Sequence, residues 1–326
     1  MQDVARLAGV HRVTASVVLN NAAASTQVSE ATRQRILDAA QELGYRPNAM
    51  ALALRRRRTG TIGLYRNSGN MHDPFMGDVL TGLNAACFDH EMDLMLLTDQ
   101  RRRPADEVYA SLANGRVDGL ITIPLPADAE IMQRLAGSHV PVVALADPTP
   151  NVPSVTVDDV AGSQLLVDHL AARGHHHVMY RQDPNHHASA VRRFAAFKAA
   201  ARAYGIRITE VAPVDGYGDI GPEEIAWLAA PPAERPTAVA AWADTHAYRF
   251  LQYCEGAGIR VPGDVAVVGF DGIVGAIEPA RTLTTIRAPW REVAVKAVAL
   301  LLALIEGEEV PLETVFPVEL VIGDTT

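Results

Sequence analysis

The 326-residue sequence predicts an α/β protein in three parts: a three-helix helix-turn-helix head, a short hinge, and two doubly wound lobes built on parallel sheets. Three observations carry this. Short apolar runs at helical spacing occupy residues 3–43, punctuated by Gly9 and Gly44. From Thr61 onward, apolar strands alternate with helical stretches, the mark of parallel strands joined by crossover helices. Charge is divided as well. Residues 1–60 carry nine arginines against four acids, a net of +5, whereas the remaining 266 carry 20 basic residues against 34 acidic ones, −14.

In the head, Val4, Leu7 and Ala8 give a short helix one apolar face, and Gly9 supplies a left-handed turn position. A second helix follows. On a wheel of 100° per residue, Thr14, Ala15, Val18 and Leu19 share the arc that can pack on helix one. Arg12, Val13, Ser16, Val17 and Asn20 share the other arc, the face suited to a DNA major groove. Ser29 is placed to cap a third helix, with Glu30 favourable at its positive end and Ile36, Leu37, Ala40 and Leu43 as its stripe. Gly44 ends it. Next, Asn48–Leu54 favours helix but is too short to hold one alone in water, and four arginines, Arg55–Arg58, follow.

Composition narrows the class. The length suits two or three domains, and 48% apolar with 21% charged residues is that of a globular protein. No apolar run approaches the roughly 20 residues needed to span a bilayer. Asp3 and the lack of an early apolar segment argue against a secretory leader. Cys87 and Cys254 lie far apart without metal-ligand spacing and read as reduced core residues of a cytoplasmic protein. A basic module on an acidic body fits a head that binds a polyanion, although a basic solvated tail would carry the same charge.

In α/β sheets, ligands bind beyond the carboxyl ends of strands. Phe75, Asp158, Arg193, Trp242, Asp244 and Asp271 follow predicted strands and are the candidate binding residues. Asp and Arg grip hydroxyls or carboxylates by charge-assisted hydrogen bonds, and aromatic rings cover an apolar sugar face. Each has a structural alternative. Asp158 is placed to cap a helix, Arg193 to form an ion pair, and Asp271-Gly272 to make a turn.

The order and spacing of DVARLAGV, then T-x-S-x-VLN, then VSEATRQRILDAAQELGYRPN resemble the DNA-binding headpiece of the lactose-repressor (LacI/GalR) family of transcription regulators. The resemblance continues through RVDGLI (116–121), HLAARGH (169–175), RPTAV (235–239), GIRVPGDVAVVGFDG (258–272) and LTTIRAP (283–289). It implies a periplasmic-binding-protein-like core over 61–326, a head over 1–47, and a hinge helix and basic linker over 48–60. It implies Leu54 as a minor-groove wedge, with Arg55 on the phosphates. It places Phe75, Asp158, Arg193 and Asp271 in an effector pocket, with a sugar as the default ligand. Operator DNA and a second copy of the chain are the implied partners, since no heptad tail for a tetramer follows Val321. A membrane partner and a cofactor are not implied.

Three departures bear on the operator. The chain opens four or five residues into the family pattern, which implies a shortened first helix. His11 stands where a Ser cap is common, and Val17 where many members carry a polar base reader. Val can touch a thymine methyl but cannot read guanine as Arg12 can, so the resemblance implies an unusual operator.

An enzyme is the competing class. No GxSxG, HExxH or P-loop is present. The runs His175–His177 and His186–His187 lack the spacing of a metal site, because adjacent residues do not share a helix face. The reading is therefore no catalytic residue and no metal. The nearer alternative is a cytoplasmic small-molecule binding protein without specific DNA activity, against which the +5 head argues.

Overall fold

The computed structural model describes residues 1–20, 28–46, 53, 58–67, 74–99, 103–212, 214, 218–231, 233–273 and 281–326. Leu54, Arg55 and, Ala53 apart, the predicted hinge Asn48–Leu54 lie outside the described residues. Two compact units result, a small one made chiefly of Met1–Thr61 and a large one holding nearly all the rest.

The small unit contains α1 (Gln2–Leu7), α2 (Arg12–Leu19) and α3 (Glu30–Glu42). Gly9 turns the chain between α1 and α2 at φ +64°, where a side chain would be strained. His11 caps α2 despite its departure from Ser: its Nδ1 accepts from the Val13 N–H at 3.3 Å. Ser29 Oγ caps α3 by accepting from the Thr32 N–H, also at 3.3 Å. Val4, Ala5, Ala8, Ala15, Val18, Ile36, Ala39 and Ala40 form one buried cluster among the three helices.

The large unit runs β1 (Thr61–Arg66), α4 (Pro74–Asp89), β2 (Asp93–Thr98), α5 (Ala105–Leu112), β3 (Gly119–Thr122), α6 (Ala129–Ala136), β4 (Val142–Leu145) and β5 (Ser154–Val157). It continues with α7 (Asp159–Ala172), β6 (His177–Arg181), α8 (Ala188–Ala203), β7 (Arg207–Val211), α9 (Pro222–Ala229), β8 (Ala238–Ala241) and α10 (Asp244–Gly256). It ends with β9 (Ala266–Asp271), β10 (Thr284–Arg287), α11 (Trp290–Ile305), β11 (Glu313–Phe316) and β12 (Glu319–Val321). No described helix is long and apolar enough to cross a membrane.

Two six-stranded sheets form, in the orders β11-β5-β4-β3-β1-β2 and β12-β10-β9-β8-β6-β7. Strand β12 pairs antiparallel with β10, whereas β1, β3, β4, β5 and β11 pair in parallel. Central strands such as β1 are buried along their whole length, as sheets covered by helices on both faces require.

The lobes are not two halves in series, as the alternation implied. Helix α11 packs on α4 and on β3, β4 and β5, and β11 joins the first sheet. Trp290, Val293, Ala294, Ala297, Val298 and Leu301 recur at helical spacing and bury its inner stripe. Full burial of each large apolar side chain there contributes roughly 1.5–3 kcal/mol. Gly82 of α4 permits the close crossing, since a Cβ there would lie 2.4 Å from the Arg291 carbonyl. The chain therefore passes between lobes three times, after β5, after β10 and between β11 and β12. Strands β11 and β12 are short, half-exposed edge strands with little apolar period, so the sequence pattern alone does not mark them.

Candidate functional site

In each sheet the strand order reverses once, at β1/β3 in the first and β6/β8 in the second. Such switch points open a crevice beyond the carboxyl ends of the strands. A cavity of about 240 Å³ occupies that position between the lobes. Arg66 ends β1 and Asp147 follows β4 on one side, while on the other His187 and Trp242 follow β6 and β8 and Asp271 ends β9.

Arg193 is the centre of the charged wall. Buried in α8, its Nε donates to Asp159 Oδ1 at 2.7 Å and its Nη1 to the Trp242 carbonyl at 2.8 Å. Nη2 lies 3.1 Å from Asp271 Oδ1, and the guanidinium sits 3.7 Å from the Phe270 ring centroid. Burial works against its charge, but the fields of Asp271 and Asp159 outweigh this and hold it protonated, above the ordinary Arg range. Arg193 thus makes the structural ion pair and lines the cavity at once.

The aromatic wall is Phe75, Trp290 and Trp242. Phe75 meets Trp290 edge-on with ring centroids 4.8 Å apart, and His187 stacks on Trp242 at 5.4 Å. Both indole N–H groups, of Trp242 and Trp290, are buried without a hydrogen-bond partner among the described residues. A buried donor left unpaired costs about 1–3 kcal/mol.

At the lobe junction, buried Asp147 Oδ1 accepts from the Ser189 N–H at 2.6 Å, joining the first lobe to the start of α8. Burial pushes the Asp147 carboxyl up from its ordinary range. Nearby, His187 Nδ1 and Asp183 Oδ2 are 2.6 Å apart. Burial opposes the His187 charge, yet its bond to Asp183 prevails and raises it. Burial also opposes the Asp183 charge, and the same bond prevails and lowers that carboxyl.

Of the six candidate residues, Phe75, Arg193, Trp242 and Asp271 line the cavity, and Asp158 and Asp244 do not. Asp158 lies in the first crossover between lobes and caps α7, its Oδ1 accepting from the Ala161 N–H at 2.8 Å. Asp244 is turned inward. Its Oδ1 accepts from the Thr285 hydroxyl at 2.6 Å and its Oδ2 from the Ile273 N–H at 2.8 Å, which holds the exit of β9. Gly269 makes room for it, because a Cβ there would lie 2.2 Å from Oδ1. Burial pushes the Asp244 carboxyl up to about 6.

Sequence reasoning missed Arg66, Asp147 and Trp290. Asp147 obeys the strand-end rule and was findable from Val142–Leu145. Trp290 begins a helix that returns to the other lobe, so no local signal marks it.

In the head, Ala15 and Val18 of α2 face inward, while Arg12 and Val13 are exposed, Val13 by 62%. Ser16, Val17 and Asn20 are half-buried. The Asn20 Nδ2 donates to the Ser16 carbonyl at 2.8 Å and to Ser16 Oγ at 3.1 Å, which leaves its carbonyl as the group to offer outward.

Comparison with known proteins bears on both units. The family pattern "Bacterial regulatory proteins, lacI family" matches residues 1–48, and "Periplasmic binding protein-like domain" matches residues 167–326. The HTH-type transcriptional regulator CelR of Thermobifida fusca is 30% identical, over 99% of this chain and 95% of that protein. The chain belongs to the lacI family of bacterial regulatory proteins.

Two solved structures are similar over nearly the full length. The transcriptional regulator CelR–cellobiose complex is 27% identical with a TM-score of 0.69, covering 100% of this chain and 99% of that one. The lac repressor dimer bound to operator and the anti-inducer ONPF is 25% identical with a TM-score of 0.79, covering 99% and 97%. The protein is a DNA-binding transcriptional regulator and not an enzyme.

Proposed function

We propose that this regulator acts as a repressor whose affinity for operator DNA is set by a sugar held between the lobes. The observation that carries the ligand reading is the pair of buried, unpartnered indole N–H groups on rings that line one cavity. A polyhydroxylated ligand brings acceptors for them, donors for Asp271 and an apolar ring face for Phe75, Trp242 and Trp290. Arg193 orients Asp271 and lends its remaining N–H groups, whereas Asp244 acts from behind by fixing the β9 exit. Asp158 is withdrawn from contact with the ligand. The similarity to a regulator captured with cellobiose supports the same class.

On the DNA side, Arg12, Val13, Ser16, Val17 and Asn20 form the reading face, and Leu54 and Arg55 the minor-groove and phosphate contacts. A homodimer would present two such heads to a pseudo-palindromic operator, in keeping with the lac repressor dimer on its operator. Such a protein would work in the cytoplasm. Ligand closure of the lobes would favour one of two hinge states, and only a ligand with different affinity for the two can shift them. Quenching of tryptophan fluorescence on addition of sugars tests the ligand reading. Saturable quenching by a sugar, weakened in Asp271→Asn, supports it; no response to any sugar contradicts it.

A further inference from the structure

His187 lies just before α8 in the second lobe, and its ring stacks on Trp242 in the wall of the cavity. Its backbone N–H donates to Asp183 Oδ2 at 2.6 Å, and its Nδ1 lies 2.6 Å from the same oxygen. Asp183 Oδ1 accepts from the Asn185 N–H at 3.0 Å. An ionised carboxylate only accepts, so Nδ1 carries a proton whether or not the ring is charged. Titration therefore falls on Nε2. That nitrogen has no hydrogen-bonding partner among the described residues and is the one left to the cavity. Protonated, it is a donor to whatever the cavity holds; deprotonated, it is an acceptor.

The charges around the ring come from both lobes. In the first, Asp147 attracts the imidazolium and Arg66 repels it. In the second, Asp183 attracts it. Arg192 and Arg193 of α8 are tied to Asp159, and Arg193 also to Asp271. His246 of α10 meets Trp242 edge-on, with ring centroids 5.4 Å apart. Burial disfavours the charge on His187, but Asp183 and then Asp147 prevail and raise it above its ordinary range. The dependence runs both ways, because His187 and Arg192 are the charges that support the buried Asp147 carboxylate. Asp147 also accepts from the Ser189 N–H, two residues beyond His187. The attraction and the hydrogen bond thus cross the lobe junction side by side.

We propose that His187 is a proton switch in the effector site: its Nε2 proton draws the lobes together through Asp147 and gives the ligand a donor, so ligand affinity falls as pH rises. This rests on the sugar reading of the cavity. Loss of the proton leaves Asp147 with Arg192 as its supporting charge and turns the Nε2 edge into an acceptor. A group that closed lobes protonate more readily than open ones favours closure at low pH, and that contribution is lost as pH rises through its titration.

The test takes two readings on the full chain between about pH 6 and pH 9, the range in which a raised histidine titrates. The first is tryptophan emission without ligand, because an imidazolium stacked on an indole quenches it. Emission should rise through a midpoint above 6.5, the ordinary histidine value. This transition should vanish in Trp242→Phe and in His187→Gln. Its midpoint should fall in Asp147→Asn, which keeps an acceptor for the Ser189 N–H and removes the charge. The second reading is calorimetric affinity for glucose, galactose, fructose, cellobiose, maltose and lactose. Affinity for a sugar that binds should fall about tenfold or more across the range in wild type and stay level in His187→Gln. Absence of the emission transition, its survival in His187→Gln, a midpoint unmoved in Asp147→Asn, or sugar affinity independent of pH overturns the switch and leaves the sugar site standing. No binding of any of these sugars at any pH overturns the sugar reading and the switch with it, whatever the emission shows.

Discussion

Arg193 Nη2 stands 3.1 Å from Asp271 Oδ1 while Arg193 Nε donates to Asp159 Oδ1 at 2.7 Å, so one guanidinium ties the end of β9 to the start of α7. Asp271 itself sits at φ +121°, a conformation that side chains rarely adopt. The pair therefore holds a strained carboxylate at the cavity wall.

Arg193→Met leaves Asp159 with only Arg192 and Asp271 without this partner. The loss expected is about 3–5 kcal/mol in urea denaturation, the cost of stripping one member from a buried ion pair. Arg193→Lys keeps the charge but not the fork. It should stay folded and lose sugar affinity by about tenfold or more, read by calorimetry. Wild-type affinity in Arg193→Lys contradicts the proposed role.

Trp242→Phe and Trp290→Phe each delete an N–H and keep most of the ring. Because neither donor has a partner among the described residues, thermal melting should show only the loss expected of a smaller buried ring, with no added cost from a broken hydrogen bond. Sugar affinity should fall about three- to tenfold per substitution, the worth of one hydrogen bond. A larger loss of stability with unchanged affinity would assign these rings to packing alone.

Asp244 is pushed up to about 6 by burial, against an ordinary value near 4. The folded state therefore binds a proton between those values that the unfolded state does not. Its stabilising contribution is complete at low pH and is lost as pH rises through about 6. The stability of wild type relative to Asp244→Asn, which cannot ionise, should fall by about 3 kcal/mol between pH 4 and pH 7. Denaturation curves for both proteins across that range provide the check, and a pH-independent difference would refute it.

In the head, Arg12 is exposed at the first turn of α2 and is the one long donor on its outward arc. Arg12→Ala should relax sequence preference at one operator position by about 1–3 kcal/mol, measured by competition among single-site operator variants. Weakening that is equal across all variants would mark Arg12 as a phosphate contact instead.

Much of this architecture was legible because local rules sufficed. Gly9 and the apolar stripe of α3 announce the head, and strand ends announce Phe75, Trp242 and Asp271. Asp244 misled because it follows the same rule as Trp242. Only the space left by Gly269 and the hydroxyl of Thr285 decide that it turns inward. Asp158 sits at a strand end too, but that strand leads into a crossover between lobes. Periodicity reports which face of a segment is buried and says nothing of which sheet it joins, so the return of α11 with Trp290 was beyond it.

The most direct measurement is fluorescence anisotropy of a labelled duplex from upstream of the protein's own gene, titrated with the full chain, with and without the sugar that quenches its tryptophans. The account predicts that saturating sugar changes operator affinity by about tenfold or more. It also predicts that the double variant Trp242→Phe/Trp290→Phe needs more sugar for the same change while binding DNA normally without it. Operator affinity that is identical with and without a sugar known to occupy the cavity would contradict it.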